Sequence, residues 1–392
     1  MRQAGERESK RHPAVGAGNV AQGARFAHMM RDATGFGRGG IILNMIKRPW
    51  GGINGETAWL FQMEGDGICA RVSNYGGVLQ SLMLTDVLGK PLDVVLGYDA
   101  LEDYRHSETF FGAMIGPLAD RVAGGRCVLD GREVLLPLNA GPDSMHCGSK
   151  GFHGRLWHWK QQAQGLCLYR HFDEADLGFP GEMAVELRYL LPRRRTLRLE
   201  YTATCTRQTA ASFTNHSYFN LNGGKTDCSG HVLTVPAECY AETARDVEPI
   251  CTGREMPAEG TPLDLRTGVC VRDAVRKTGF HEIAIAGGID HYFPVPGEGL
   301  RELARLHCPE TGLTLRCRSD APGLLIYTGN GLSGEAGKGG RRYDRHWGVC
   351  LETERFPNAV NLPERRAEVL LEPGEVYSSV TEFEFTQGII AR

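Results

Sequence analysis

The stretch Leu197-Arg198-Leu199-Glu200-Tyr201-Thr202-Ala203-Thr204 places apolar residues at odd positions and polar residues at even positions. Successive side chains of a β-strand point to opposite faces, so this alternation predicts a strand with one buried face. Similar strand-like runs recur along the chain, at Met183–Leu190, Leu313–Cys317, Leu324–Tyr327, Val349–Thr353 and Val376–Phe385.

Turn signals separate these runs. Asp130-Gly131 lies between the short runs Arg126–Leu129 and Arg132–Leu135, and this dipeptide is typical of a two-residue hairpin turn. The 392 residues include 51 glycines, nearly twice the usual share, which indicates many turns. Helical periodicity is limited to about one turn near Ala100–Arg105. We therefore predict an all-β protein, a large antiparallel sandwich or barrel.

The N-terminal part of the chain differs from the rest. Residues 1–44 contain seven Lys or Arg against three Asp or Glu, together with eight glycines and no periodic apolar pattern. A length of 392 residues corresponds to two or three domains at about 150 residues each, but all-β domains often run longer. We predict a basic, Gly-rich, disordered extension over 1–44 and one β domain over 45–392.

Charge and cysteine usage restrict the partners. The net charge of −3 favours neither a nucleic-acid nor a membrane partner, and no run approaches the roughly 18 apolar residues of a membrane helix. The twelve cysteines are scattered without a C-x-x-C pair, as is common for buried thiols in a reducing compartment. We predict a cytoplasmic protein without a nucleic-acid or membrane partner.

Several polar residues stand in strand-like surroundings. His216 lies in Ser212–Leu221, where alternation places it on one face with Thr214 and Tyr218, and Glu352 lies in Gly348–Glu354. Periodicity alone does not show whether these side chains meet.

Three histidines, His146, His153 and His158, fall within thirteen residues. The glycines between them indicate an irregular loop and not the rigid spacing of metal ligands. We therefore predict no metal site.

Nine short blocks follow one another in a distinctive order: Gly116–Arg126, Leu136–Asn139, Gly141–His146, Gly151–Trp157, Thr214–Leu221, Gly260–Asp264, Ile289–His291, Tyr327–Asn330 and Leu351–Pro363. In this order they resemble the aldose 1-epimerase family, the galactose mutarotases, and the resemblance spans about residues 45–392. It implies a galactose mutarotase-like supersandwich of antiparallel sheets with an open sugar-binding groove. It also implies interconversion of the α and β anomers of free aldoses such as galactose or glucose, without a cofactor.

The same resemblance implies roles for individual residues. Glu352 would be the general base, His216 the general acid and His146 a second active-site histidine, while Arg121 and Asp290 would bind sugar hydroxyls. These residue types suit the chemistry, because a carboxylate can accept the anomeric proton. An imidazolium with a pKa near 6.5 can supply a proton to the ring oxygen. We therefore expect His216 to be charged near neutral pH.

Three positions depart from the family pattern. Asp120, directly before Arg121 and also predicted to bind substrate, stands where the family usually has Asn. Glu354 and Asn358 stand where Gln and Asp are more usual. The change at Asp120 bears on sugar preference more than on the reaction.

Other functions stay open at this level. A glycoside hydrolase would use Asp290 and Glu352 as paired carboxylates. A hexose-6-phosphate epimerase would bind phosphate through Arg193-Arg194-Arg195 or Arg341-Arg342. A non-catalytic sugar-binding protein could share the fold. The expected partner in every case but the hydrolase is a monosaccharide, and we expect a monomer or weak homodimer.

Overall fold

The computed structural model describes residues 44–86, 89–244 and 249–388. The predicted extension over 1–44 lies outside these ranges except for Asn44, and it stays a prediction. Within the described ranges, thirty strands, four short α-helices and six single-turn 3-10 helices form the regular secondary structure.

The first fifteen strands, in chain order, are β1 (Asn44–Ile53), β2 (Glu56–Gly65), β3 (Ile68–Ser73), β4 (Leu79–Thr85), β5 (Pro91–Asp93), β6 (Met114–Ile115), β7 (Arg121–Val122), β8 (Arg126–Leu129), β9 (Arg132–Leu135), β10 (Ser144–Met145), β11 (His158–Gln162), β12 (Gly165–Phe172), β13 (Met183–Leu190), β14 (Thr196–Cys205) and β15 (Thr209–Ala210). The remaining strands are β16 (Thr214–Asn215), β17 (Tyr218–Phe219), β18 (Val232–Thr234), β19 (Cys239–Ala244), β20 (Ile250–Pro257), β21 (Val269–Cys270), β22 (Asp290–Pro294), β23 (Arg301–Cys308), β24 (Leu313–Ser319), β25 (Gly323–Tyr327), β26 (Glu335–Ala336), β27 (Arg342–Tyr343), β28 (Val349–Glu354), β29 (Leu370–Leu371) and β30 (Tyr377–Gln387). The helices are α1 (Leu101–His106), α2 (Glu174–Leu177), α3 (Val271–Val275) and α4 (His281–Ala286).

The all-β prediction is confirmed, and so are its local signals. In β14 the residues Leu197, Leu199 and Tyr201 are buried while the residues between them are partly exposed. The predicted hairpin joins β8 to β9, and both Asp130 (φ 48°) and Gly131 (φ 70°) adopt the left-handed conformation that such a turn requires.

Three antiparallel sheets organise the domain. The largest has nine strands in the order β11-β12-β13-β14-β30-β24-β23-β18-β21. A five-stranded sheet has the order β1-β2-β3-β4-β5, and a four-stranded sheet has the order β17-β28-β25-β22. Two-stranded pairs supply the connections between them, including β7 with β10 and β6 with β16.

Both smaller sheets pack on the apolar face of the nine-stranded sheet. Trp159 of β11 lies 5.0 Å from Phe61 of the five-stranded sheet, ring centre to ring centre. Phe383 of β30 lies 4.8 Å from Phe219 of the four-stranded sheet. The core between the layers is one continuous cluster of buried apolar side chains.

Strand β28 occupies the middle of the four-stranded sheet, between β17 and β25. Alternation directs Val349 and Leu351 into the core, and it turns Cys350, Glu352 and Glu354 to the other face. The four-stranded sheet thus carries polar chemistry on the face that points away from the core.

None of the helices in the described parts of the chain has the length and apolar character needed to cross a membrane. All twelve cysteines lie within those parts and are free thiols, ten of them buried.

Candidate active site

His216 and Glu352 meet on the outer face of the four-stranded sheet. The Nε2 atom of His216 lies 3.5 Å from Oε1 of Glu352, and both side chains are almost fully buried. The strand-like run around His216 forms two short strands, β16 and β17, and His216 lies between them. There the His216 backbone bonds instead to Ala113 and Gly112, each at 2.9 Å, which fixes the ring at the sheet edge.

Aromatic rings surround the imidazole of His216. Tyr218 stacks on it with ring centres 5.0 Å apart, and Phe110, His146 and Tyr327 lie at 5.9, 5.3 and 6.2 Å. The Sγ atom of Cys350 lies 3.6 Å from its Nδ1 atom. The ring therefore sits in dry, mostly apolar surroundings.

Phe110 is a site residue that the sequence does not reveal. Its ring packs edge-on against His146 and His153 at 4.8 and 4.9 Å, in addition to its contact with His216. Its backbone is left-handed, with φ 56°, which is uncommon for a bulky residue. Conformations of this kind are often found at functional sites.

His146 follows β10 and also has a left-handed backbone, with φ 53°. Its Nδ1 atom accepts a hydrogen bond of 3.1 Å from the backbone N–H of Asp120. An accepting Nδ1 atom places the proton of the neutral ring on Nε2. His146 is therefore a hydrogen-bond donor at Nε2.

Arg121 lies between two carboxylates. Its Nη1 atom is 3.4 Å from Oδ1 of Asp120 and 3.7 Å from Oδ2 of Asp290. The three side chains keep 10 to 15% exposure, so solvent and substrate reach the site at this point. Oδ1 of Asn358 accepts a hydrogen bond from Ala123 N at 3.1 Å, which supports the backbone just after Arg121.

Burial sets the protonation of the central pair. It lowers the pKa of His216 to about 3, and it raises the pKa of Glu352 well above its usual value. The negative charges of Asp120 and Asp290 raise the pKa of Glu352 further. The expectation of a charged His216 is therefore wrong for the free protein, because the aromatic surroundings disfavour an imidazolium. Burial therefore favours the neutral form of both groups, an uncharged imidazole and a protonated carboxyl group.

Glu354 is a second acid on the same face of β28. It is buried, and its Oε1 atom has no hydrogen-bond partner among residues 44–86, 89–244 and 249–388. Burial raises the pKa of Glu354, and the charges of Asp120, Glu352 and Asp290 raise it further. The outer face of β28 thus carries a second buried carboxyl group, Glu354, beside Glu352, and the family resemblance gave Glu354 no role.

The site brings together all six residues predicted from the sequence, but the three-histidine cluster does not converge as a unit. His153 packs on Phe110, whereas His158 is exposed in β11 and stacks against Tyr169.

Potential metal-ligating atoms of His146, His216 and Glu352 lie within 4.8 Å of one another. The tautomer of His146 opposes metal binding, since its Nδ1 lone pair is occupied and its Nε2 atom carries the proton. These residues fit a hydroxyl-bearing ligand better than a metal ion. The absence of a metal site remains a prediction.

Two of the arginines proposed for a phosphate site, Arg193 and Arg195, contact residues outside the candidate active site. Arg193 pairs with Glu382 and Glu384 on the outer face of the nine-stranded sheet. Arg195 bonds to Gln387 and to Thr85. Arg341 and Arg342 are exposed at β27. None of these contacts places a guanidinium beside Glu352.

Known proteins are similar to this chain in sequence and in fold. A family model described as aldose 1-epimerase matches residues 60–384. The galactose mutarotase of Bos taurus is 37% identical over 84% of this chain and 94% of its own length. The aldose 1-epimerase of Escherichia coli strain K12 is 31% identical over 81% of this chain and 92% of its own. The solved galactose 1-epimerase of Lactobacillus acidophilus has a similar fold, with TM-score 0.76 at 23% identity, covering 88% of this chain and 100% of that one.

Proposed function

The chain belongs to the aldose 1-epimerase family, and we propose that Glu352 and His216 are the acid–base pair with which it works. It is an isomerase that interconverts the α and β anomers of aldoses. The observation that carries the assignment is the 3.5 Å approach of His216 Nε2 to Glu352 Oε1 in a nearly dry site. The two groups are close enough to act on neighbouring oxygens of one sugar ring.

Ring opening needs the charged form of the pair. Glu352, as a carboxylate, takes the proton from the anomeric hydroxyl, while His216, as an imidazolium, gives a proton to the ring oxygen. The C1–O5 bond breaks, and its electrons remain on the ring oxygen, which becomes a hydroxyl. The products are an open aldehyde, a protonated Glu352 and a neutral His216.

Ring closure uses the neutral form of the pair, which is also the form favoured by burial. After rotation about the C1–C2 bond, His216 takes the proton of the O5 hydroxyl as this oxygen attacks the aldehyde. Glu352 gives its proton to the carbonyl oxygen, so the other anomer forms. After product leaves, the proton can pass from Nε2 to Oε1, which restores the neutral pair, and it passes back to Nε2 when the next sugar binds.

The surrounding polar residues hold the sugar. His146 donates from Nε2, as its bond from the Asp120 N–H requires. Arg121 donates from its guanidinium, and Asp290 and Asp120 accept from hydroxyls. Fixing the ring between donors and acceptors lets both proton transfers proceed from one bound geometry.

The alternatives receive less support. The matching relatives are epimerases by name and not hydrolases, and they support no second reading over anomer interconversion. Arg193 and Arg195, two of the proposed phosphate-binding arginines, contact other residues. A non-catalytic role is disfavoured because the burial of a carboxyl group at 1% exposure, as for Glu352, is costly unless its protonation is used.

The substrate is a small sugar, and we propose that galactose or glucose is among the sugars accepted. The free, mostly buried thiols support a reducing compartment such as the cytoplasm. The modest net charge of −3 supports action without nucleic acid. We propose that the protein is a monomer or weak homodimer.

Polarimetry tests the proposal directly. Freshly dissolved α-D-galactose and α-D-glucose should approach anomeric equilibrium faster with the enzyme than in buffer alone. An unchanged rate for several free aldoses would overturn the proposed function.

A further inference from the structure

We propose that Tyr327 is a substrate-binding residue, whose ring is an aromatic platform on which one C–H face of the sugar packs. This inference rests on the proposed function and deepens it. It concerns how the aldose is held in the groove and not the proton transfers at C1.

The first argument is the register of the four-stranded sheet. Residues that pair across antiparallel strands point to the same face of the sheet. Tyr327 of β25 pairs with Cys350 of β28 on one side and with Asp290 of β22 on the other. Cys350 shares its face with Glu352, so Tyr327 also points to the outer face that carries the proton-transfer pair.

The second argument is the position of a sugar between its proposed partners. Glu352 lies on β28 and Asp290 on β22, and β25 runs between these two strands. Neighbouring strands lie about 4.8 Å apart, so β28 and β22 are roughly 10 Å apart. A pyranose that presents its anomeric hydroxyl to Glu352 and another hydroxyl to Asp290 therefore lies across β25.

The side chains that β25 presents beneath such a sugar are largely apolar. Leu325 pairs with Glu352, and Tyr327 pairs with Asp290. Leu325 is buried at 7% exposure, whereas Tyr327 keeps partial exposure and is open to a ligand. The surface under the sugar thus suits C–H groups better than hydroxyl groups.

The third argument is that the Tyr327 ring is already held in place. Its hydroxyl accepts a hydrogen bond of 2.7 Å from the backbone N–H of Gly331. Its ring centre lies 6.2 Å from that of His216 and 5.9 Å from that of Tyr218. A preorganised ring loses little conformational entropy when a ligand packs on it, which favours binding.

A purely structural role for Tyr327 makes a different prediction. The ring would then act through its contact with His216, and its loss would lower kcat. A platform that contacts substrate and transition state alike contributes uniform binding, so its loss raises KM and leaves kcat unchanged.

The experiment compares wild type, Tyr327→Leu and Tyr327→Phe. It measures mutarotation of D-galactose and binding of 1,5-anhydro-D-galactitol, which lacks the anomeric hydroxyl and cannot open. In Tyr327→Leu we expect KM for galactose and Kd for the anhydro sugar to rise together, by roughly three- to tenfold, with kcat unchanged. Tyr327→Phe keeps the ring and should retain the wild-type values.

Tyr169→Leu is the matched control. Tyr169 is also a partly exposed tyrosine on a strand, but it belongs to the nine-stranded sheet and packs on His158. Its replacement should change neither KM nor Kd.

NMR of the wild-type protein with 1,5-anhydro-D-galactitol tests the contact without a variant. We expect nuclear Overhauser effects between C–H protons of the bound sugar and the ring protons of Tyr327, and their absence would overturn the inference. A fall in kcat with unchanged KM and Kd in Tyr327→Leu would also overturn it, as would an equal loss of affinity in Tyr327→Phe. These outcomes leave the proposed function standing, whereas wild type that accelerates mutarotation of no free aldose would overturn the proposed function itself.

Discussion

Glu352 and Glu382 are both 1% exposed, yet their surroundings act on them in opposite directions. Glu352, on the outer face of the four-stranded sheet, faces other acids and a neutral histidine, and its pKa is raised by burial. Burial also acts to raise the pKa of Glu382, but hydrogen bonds and charges from Arg193 and Arg198 outweigh it and lower the pKa. Arg193 Nη2 lies 2.7 Å from Glu382 Oε2.

The difference shows that burial alone does not decide what a carboxyl group does. Both sites impose a desolvation cost on the charged form. The nine-stranded sheet compensates it with arginines, which fixes Glu382 as a structural anion. The four-stranded sheet leaves Glu352 without such a partner, so a small change in its surroundings moves a proton.

The largest expected effect comes from Glu352→Gln. Removing the proton acceptor should lower the polarimetric rate by about a thousandfold, within the usual range for a general base. The fold should persist, because a carboxyl group with a raised pKa costs stability at any pH above its unfolded-state value of about 4.5. The free energy of unfolding of the variant should therefore exceed that of wild type near neutral pH.

His216→Asn should cause a loss of similar size with an intact fold. Circular dichroism and thermal unfolding of both variants provide the control for folding. A rate close to that of wild type in either protein would refute its assigned role.

Phe110→Leu should have an intermediate effect. Burial is the main cause of the lowered pKa of His146 and His216, and the Phe110 ring covers both imidazoles. A smaller side chain should admit water, raise both pKa values and lower kcat by roughly tenfold, a fraction of the acid–base contribution.

Histidine titration by NMR measures the pKa values of this variant, and Phe110→Tyr, which keeps the ring, should behave like wild type. Unchanged histidine pKa values in Phe110→Leu would show that the ring does not keep the site dry.

Glu382→Gln should affect stability and not catalysis. Three arginines, Arg193, Arg198 and Arg318, would lose a charged partner on the nine-stranded sheet. Because these arginines are partly exposed, we expect a loss of only about 1–2 kcal/mol in the free energy of unfolding. Urea denaturation measures this loss of free energy of unfolding. A lower rate on galactose in the folded variant would contradict a purely structural role for Glu382.

Local patterns carried much of the fold prediction. The alternation in β14 and the turn at Asp130 were readable because each depends on neighbouring residues. Strand β1 was not readable, since it contains Pro49, Gly51 and Gly52, shows a register shift there, and is mostly exposed. It pairs as an edge strand, so no buried face imposes alternation on it.

Of the candidate site, the sequence yielded the residues but not their state. Resemblance to a family supplied Glu352, His216 and Arg121, and the structure brings them together. The sequence led us to expect a charged His216. Burial of the ring against Phe110 and Tyr218 lowers its pKa, and these contacts depend on the tertiary fold. The tautomer of His146 depends on a backbone bond from a residue 26 positions away, which no local pattern encodes.

The smallest effect expected concerns the pH profile of Asp120→Asn. The working pair in the free protein holds one proton, so kcat/KM should fall at low pH near the His216 pKa of about 3 and at high pH as Glu352 loses its proton. The charge of Asp120 raises the pKa of Glu352, and its removal must lower that pKa. The alkaline limb should therefore move to lower pH, by about one unit or less.

Glu382→Gln, measured alongside over the pH range in which each variant stays folded, should leave this limb in place. Its carboxylate is neutralised by arginines and is not among the charges that act on Glu352. If the limb of Asp120→Asn moved to higher pH, Asp120 would have to act mainly by holding Arg121 and not by its own charge. The buried carboxyl group of Glu352 would then be compensated by an arginine, as Glu382 is on the nine-stranded sheet. The contrast between Glu352 and Glu382 would be lost.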